Sequence, residues 1–179
     1  MAARRQGRWC GMGGWFPCLV LLFLLTACGA PEEQRPGARE PGPDATGYYC
    51  SMALSEHAGP KGQIHVAGEQ GPLWFSSVRD GFAYLQLDGA TRRILAFYVN
   101  DMGRADWQTP QPGTWIDARQ AWFVVESNRG SAMGGTEIIP FADRQAAGRF
   151  VQQHGGRVVG YDAVAGQDMF PSGGEASKP

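Results

Sequence analysis

The sequence contains an internal repeat, in which two segments 66 residues apart align, with Phe75 placed on Phe141. The first segment reads LWFSSVRDGFAYLQLDG and the second reads IPFADRQAAGRFVQQHGG. Each contains apolar residues at the spacing of an amphipathic helix, and strand-like runs precede and follow both segments. The repeat therefore predicts two copies of a strand–helix–strand unit.

Polar residues and glycines mark the ends of both predicted helices. Ser77 and Asp143 occupy equivalent starting positions, where a side chain can accept hydrogen bonds from the first free amide groups of a helix. Gly89 and Gly155 are equivalent residues at the other end, where a left-handed residue often closes a helix. With extra short strands between the copies, the pattern predicts an α+β fold of small sheets, each with its own helix.

The N-terminus has the pattern of a secretory signal. Arginines precede the apolar run WFPCLVLLFLLTAC, whose uninterrupted core is shorter than the roughly 20 residues that a membrane-spanning helix needs. The run ends in LTAC, which resembles a bacterial lipobox, so we expect cleavage before Cys28 and attachment of lipid to that cysteine. The alternative is a transmembrane anchor that happens to end in a cysteine.

Composition divides the chain into five parts. Residues 1–27 are predicted to be a lipoprotein signal peptide, and residues 28–47 a lipidated flexible tether, because that segment is rich in proline, glycine and charge. Residues 48–105 are predicted to form a first αβ lobe, and residues 106–165 a second. Residues 166–179 have the composition of a disordered tail.

The predicted mature chain is acidic. Removal of the signal peptide takes three of the 16 lysines and arginines and none of the 17 aspartates and glutamates, so 13 positive residues stand against 17 negative ones. This balance argues against nucleic acid as a partner. Membrane attachment would come from the lipid rather than from a basic patch, and we expect the protein to be a monomer.

Cysteine usage directs attention to Cys50. Cys10 and Cys18 leave with the signal peptide and Cys28 is expected to carry lipid, so Cys50 has no partner for a disulfide within the chain. Met52 follows two residues later, and in an extended backbone such residues project from the same side. A thiolate and a thioether are soft donors, which favour Cu(I) over Mg²⁺, Ca²⁺ or Mn²⁺.

His57 could reach back over a turn as a third ligand. Other interpretations of these residues stay open. A structural zinc site would need more cysteines than the chain has. Cys50 could be a small buried residue and Met52 a core methionine. Cys50 and His57 could also form the nucleophile and base of an enzyme, although no third group that would orient the histidine is evident.

Two further methionines are candidates for a soft metal site. Met133 lies in the polar turn SNRGSAMGG, where a methionine has little local core to fill. Met102 is a second candidate thioether, for which a core position is the expected interpretation.

Several segments together resemble a known family. CSMALSEHAGPKGQIHV, WFSSVRDGFAYL, AFYVNDM and SAMGGTEIIPF resemble the NosL family, whose members are accessory lipoproteins of nitrous oxide reductase maturation. The resemblance extends from Tyr48 to about Val164, in the expected order and behind a lipobox. It implies two related ββαβ-type lobes in one compact unit behind a disordered tether. It also implies a periplasmic Cu(I) metallochaperone and not an enzyme.

The resemblance also assigns residues. By position, it places copper ligands at Cys50, Met52 and Met133, with His57 either as a ligand or as a residue that shapes the loop. It implies transfer of copper to the nitrous oxide reductase assembly machinery, a membrane complex with a periplasmic solenoid component, for the copper–sulfide cluster of the reductase. Gly29, rather than aspartate, follows the lipidated cysteine, which implies the outer membrane rather than the inner one.

A second functional class is a non-metal exported docking lipoprotein of a membrane complex. Such a protein would dock through exposed aromatic residues, for which Trp107 and Trp115 are candidates. Lys61 could add a docking charge. Tryptophans in these positions are also typical of core or sheet packing.

Overall fold

The computed structural model describes residues 35–132, 134–164 and 166–170, all of which belong to one compact unit. Within these residues, the strands are β1 (Gly62–Val66), β2 (Leu73–Phe75), β3 (Ile94–Asn100), β4 (Trp115–Asp117), β5 (Trp122–Val125), β6 (Ile139–Phe141) and β7 (Arg157–Gly160). The helices are α1 (Val78–Gln86), α2 (Arg144–His154) and α3 (Gly166–Met169). Short 3-10 turns cover Leu54–Glu56, Asp88–Thr91, Ala118–Gln120 and Tyr161–Ala163.

The strands form two antiparallel sheets that repeat one topology. The first sheet has the order β2-β1-β3-β4 and the second has the order β6-β5-β7. In each copy the first strand lies in the centre, and the helix connects the two strands on either side of it. The units β1-β2-α1-β3 and β5-β6-α2-β7 are therefore two copies of ββαβ, and the predicted α+β fold is confirmed.

The helix starts agree with the sequence prediction, whereas one helix end does not. Ser77 and Asp143 are the N-caps of α1 and α2; from amides of the first helical turn, the Ser77 side chain accepts one hydrogen bond and the Asp143 side chain accepts two. Gly155 closes α2 with a φ of 68°. The left-handed cap predicted at Gly89 is wrong, because the chain passes at Leu87 directly into a 3-10 turn that contains this glycine.

The two lobes share a hydrophobic core. Phe82 of α1 packs against Phe97 of the first sheet and Phe123 of the second, with ring centroids 5.3 and 5.2 Å apart. Strand β4 lies beyond the boundary predicted between residues 105 and 106, but it pairs with β3 and so extends the first sheet. The boundary between the sheets therefore comes after β4, at a point that no change in composition marks.

The segment of residues 35–47 lies against the first sheet, which corrects the predicted extent of the flexible tether. The Gln63 side chain accepts a hydrogen bond from the Arg39 amide and donates one to its carbonyl, both at 2.8 Å. The Glu40 carboxylate accepts a hydrogen bond from Trp115 Nε1 at 3.0 Å. Hydrogen bonds with side chains of the sheet thus hold in place a segment that has few apolar residues of its own.

The start of the predicted disordered tail is also part of the fold. Met169 of α3 is buried in the shared core, and the buried Asp168 carboxylate accepts a hydrogen bond from the Arg157 guanidinium at 2.9 Å. The tail prediction is therefore wrong for residues 166–170. The predicted signal peptide, Cys28 and residues 171–179 lie outside the described residues. No helix in the described part of the chain is long and apolar enough to cross a membrane.

Candidate metal centre

Cys50 and Met52 lie in a short loop that is closed at its base by a β-bridge between Thr46 and Ala53. Ser51, which separates the two sulfur residues, has a φ of 56°, in the left-handed region. The extended backbone expected at this point is therefore not present. The loop itself, rather than the alternation of a strand, places the two sulfur side chains.

The two side chains differ in their surroundings. Among the described residues Cys50 is the free cysteine; it is partly buried, and its Sγ lies 3.3 Å from the hydroxyl oxygen of Ser76. Met52 is 46% exposed. Gly47 makes room for the thiol, since a Cβ at that position would lie 2.6 Å from the Cys50 sulfur. The loop thus holds a thiol that is packed on one side beside a thioether that is open to solvent.

Aromatic contacts attach this loop to the first lobe. The Tyr48 amide donates a hydrogen bond to the Trp74 carbonyl at 2.7 Å, and the rings of Tyr48 and Tyr49 both pack against Phe75. The Tyr49 hydroxyl donates to the Asp88 carboxylate at 2.9 Å. Burial and this hydrogen bond raise the pKa of Tyr49 above its ordinary value. Both tyrosines remain exposed on one side, so the surface around the thiol is aromatic.

The turn that contains Met133 is attached to the N-terminal end of α1. Met133 itself lies outside the described residues, but a β-bridge between Gly130 and Thr136 closes the turn around it. The Arg79 guanidinium, in the first turn of α1, donates a hydrogen bond to the Thr136 carbonyl at 3.1 Å. The structure therefore brings the base of this turn to the helix end that Ser76 precedes.

His57 lies in a different environment. It is 7% exposed, and among the described residues its Nε2 atom has no hydrogen-bond partner. Its side chain lines a cavity of about 420 Å³ together with Lys61 and Asn100, and neither Cys50 nor Met52 lines that cavity. The role of His57 as a ligand therefore stays a prediction, and the cavity is its observed surrounding.

The nucleophile–base arrangement of an enzyme is not formed. In the described residues no hydrogen bond joins the Cys50 thiol to the His57 ring, and the thiol instead contacts Ser76. A nucleophilic thiol is normally activated by a base within hydrogen-bond reach. The geometry of this loop gives no such activation.

Other residues considered in the sequence have structural roles. Lys61 is buried, its ammonium group donates to a backbone carbonyl, and burial lowers its pKa to about 8, so it is not an exposed docking charge. Met102 packs in a small core cluster, as expected, together with Trp107. Trp115 packs against Trp74 with ring centroids 5.9 Å apart. The two tryptophans proposed for docking are thus partly buried packing residues.

The donor set limits which metal ions could bind. Among the described residues, no group of three or more histidine, cysteine, aspartate or glutamate side chains converges as a metal site. Hard cations and structural zinc rely on such groups. The thiol of Cys50 with the thioether of Met52 would supply soft donors at low coordination number, which suits Cu(I).

Ser76 was not predicted from the sequence as a neighbour of the Cys50 thiol. A signal was present in the repeat, because the equivalent residue of the second copy is Ala142, which has no hydroxyl group. A polar residue at one copy and an apolar one at the other marks a position where the copies have different surroundings.

Comparisons with known proteins agree with this architecture. The NosL family model matches residues 38–169. The chain is 44% identical over 140 residues to the copper-binding lipoprotein NosL of Achromobacter cycloclastes, a match that covers 77% of this chain and 72% of that protein. It is 33% identical over 156 residues to the copper-binding lipoprotein NosL of Stutzerimonas stutzeri, a match that covers 84% of this chain and 79% of that protein.

A solved structure gives the same result for the fold. The crystal structure of the copper chaperone NosL from Shewanella denitrificans is similar with a TM-score of 0.67 and 31% identity, covering 73% of this chain and 98% of that one. The family match includes the segment before residue 48 that packs on the first sheet. On the repeated ββαβ fold, the family match and these relatives, the chain belongs to the NosL family.

Proposed function

We propose that this protein is a lipid-anchored Cu(I) chaperone of the periplasm. The observation that carries the proposal is the arrangement at the start of α1, where the Cys50 thiol contacts Ser76 and the base of the Met133 turn binds Arg79. Soft sulfur donors from two lobes would thus come from segments attached to one helix end. The names of the relatives, copper-binding lipoprotein and copper chaperone, support the same proposal.

The proposed ligands are the Cys50 thiolate and the thioethers of Met52 and Met133. His57 is a further candidate, as a ligand or as a residue that shapes the loop. Binding requires deprotonation of the thiol, so the affinity for Cu(I) should rise with pH and binding should release a proton. Two neutral thioethers hold the ion less firmly than a cage of thiolates would, which suits a protein that must release its cargo.

Release would proceed by ligand exchange with the receiving protein. We expect Met133 to be replaced first, because it belongs to the turn of the second lobe, whereas Cys50 and Met52 share one closed loop. The exposed rings of Tyr48 and Tyr49 surround that loop and offer an aromatic contact surface. Cargo transfer at this surface needs no catalytic residue of an enzyme.

The proposed destination is the copper–sulfide cluster of nitrous oxide reductase, reached through the membrane complex that assembles the enzyme. Lipid on Cys28 would confine the chaperone to a membrane surface and raise its effective concentration near anchored partners. Gly29 favours the outer membrane over the inner one.

The test is made in a denitrifying cell that lacks its own copy of this gene. Nitrous oxide reductase is purified after complementation with the wild-type chain, with Cys50→Ala, or with Ser55→Ala, an exposed serine that serves as the matched control. We expect the wild type and the control to restore the copper content of the reductase, and Cys50→Ala to leave it depleted. A reductase with its full copper content in the Cys50→Ala strain would contradict the proposal.

A further inference from the structure

Glu137 is a buried acid that follows the Met133 turn, and only 2% of its surface is exposed. Its Oε1 atom accepts hydrogen bonds from the Arg79 amide at 3.2 Å and the Ile138 amide at 2.9 Å, and the Ser131 side chain also bonds to its carboxyl group. Burial raises the pKa of this carboxyl from 4.5 to about 7. Burying an acid is costly. An apolar side chain could fill the same space, but it would not accept the hydrogen bonds that join these three residues.

The partners of Glu137 come from both lobes. Ser131 belongs to the Met133 turn, whereas Arg79 belongs to the first turn of α1. The Arg79 side chain makes a second contact with this segment, because its guanidinium donates a hydrogen bond to the Thr136 carbonyl at 3.1 Å. It also lies directly against Gly135, where a Cβ would be 2.7 Å from the arginine Nη1 atom. Glu137 and Arg79, here called the Glu137–Arg79 clamp, thus tie the turn to the helix end through two hydrogen bonds that Arg79 donates, one from its amide and one from its guanidinium.

The same helix end contacts the Cys50 loop. Ser76 precedes the N-cap Ser77, and its hydroxyl oxygen lies 3.3 Å from the Cys50 sulfur. Arg79 is three residues further along. One short stretch of chain, held by the helix and by buried side chains, therefore contacts the thiol loop on one side and the Met133 turn on the other.

We propose that Glu137 and Arg79 are positioning residues for copper binding, which hold the Met133 turn at the start of α1 so that Met133 and Cys50 can bind one ion. This inference rests on the proposed function, which assigns those two ligands. The clamp does not touch copper. It restricts the turn before copper binds, so the turn loses less conformational freedom on binding. Ligands that are preorganised in this way bind a metal ion more tightly.

A double-mutant cycle tests whether the clamp acts through Met133. Anaerobic competition titrations with a Cu(I) chelator are made on the mature chain in detergent, for Arg79→Met, Glu137→Ala and Met133→Leu, alone and combined. We expect each clamp variant alone to lower the affinity for Cu(I) roughly tenfold, as is typical when a residue that orients a metal ligand is lost. In the Met133→Leu background the same changes should alter affinity less than about twofold.

Two further variants serve as controls. Glu137→Gln keeps the Oε1 acceptor and should retain the affinity to within about threefold. Arg144→Met removes the arginine in the first turn of α2, whose guanidinium lies over the Trp122 ring rather than against Glu137, and should have no effect. If Glu137→Ala does not fold, Arg79→Met carries the test, because the arginine is only partly buried.

The outcomes separate this inference from the proposed function. Cu(I) binding that does not depend on Cys50 would overturn both. Binding that depends on Cys50 but is unchanged in Arg79→Met and Glu137→Ala would overturn the clamp alone. Equal losses of Cu(I) affinity in the presence and absence of Met133 would also overturn the clamp, because they would show that it acts on general stability rather than on this ligand.

Discussion

The Cys50 sulfur lies 3.3 Å from the hydroxyl oxygen of Ser76, the residue that precedes the N-cap of α1. Ser76 is buried, so the contact fixes one side of the thiol while the other side faces the loop surface. A hydroxyl group in this position can donate a hydrogen bond to the sulfur once the thiol is deprotonated. The contact therefore connects the first lobe to the proposed copper ligand.

Replacement of Ser76 by alanine should weaken copper binding without abolishing it. A typical hydrogen bond contributes about 0.5–1.5 kcal/mol, so its loss corresponds to about tenfold in affinity or less. The measurement is a competition titration with a Cu(I) chelator, with Ser55→Ala as the control for an exposed serine. Unchanged affinity in Ser76→Ala would show that the hydroxyl group only fills space.

Gly47→Ala should displace the thiol. A Cβ at Gly47 would lie 2.6 Å from the Cys50 sulfur and 2.5 Å from the Ser76 hydroxyl oxygen, so one or both groups must move. We expect a loss of both copper affinity and thermal stability. Gly42→Ala is the matched control, because no atom lies within 4 Å of a Cβ at that position. Equal behaviour of the two variants would contradict the packed position of the thiol.

Glu40→Ala should destabilise the fold by about 1 kcal/mol without altering copper affinity. The Glu40 carboxylate accepts hydrogen bonds from the Gly113 amide at 2.9 Å and from Trp115 Nε1 at 3.0 Å. Urea denaturation of this variant is compared with that of Glu56→Ala, which removes an exposed acid. If the two variants have the same stability, the two hydrogen bonds of Glu40 do not stabilise the fold.

The stability of the fold should depend on pH through Glu137. Burial raises the pKa of this carboxyl from 4.5 to about 7, so the folded state holds the proton more tightly than the unfolded state. The stability that the proton gives is full below about pH 4.5 and is lost as the pH rises through about 7. Arg79 opposes the shift by favouring the charged form.

Glu137→Gln cannot titrate and provides the reference. Between about pH 4.5 and about pH 7, the free energy of unfolding of the wild type should fall relative to that of Glu137→Gln. Urea denaturation across this range measures the difference. Parallel pH profiles for the two proteins would contradict the burial of an ionisable group at this position.

The fold was largely predictable because the repeat carries strong local signals. Ser77 and Asp143 both cap their helices as predicted, since capping depends on residues within one turn. The position of β4 and the attachment of residues 35–47 were not predictable. Both depend on partners far away in the sequence, such as the hydrogen bonds between Gln63 and Arg39, which local composition does not encode.

The candidate site was predictable in its residues but not in its geometry. The spacing of Cys50 and Met52 indicated a soft metal, yet the left-handed φ of Ser51 replaces the expected strand with a closed loop. Ser76 and Glu137 could not be assigned from the sequence, because their contacts exist only once the Cys50 loop and the second lobe pack at the start of α1.

The proposed copper site is tested most simply by an anaerobic Cu(I) titration of the mature chain against a competing chelator, with Cys50→Ala and Met133→Leu measured beside it. A chaperone site built on these residues should bind one Cu(I) tightly per chain, and this binding should be lost in Cys50→Ala and weakened in Met133→Leu. Binding that is indifferent to Cys50, or no binding within the reach of the chelator, would contradict the proposed site.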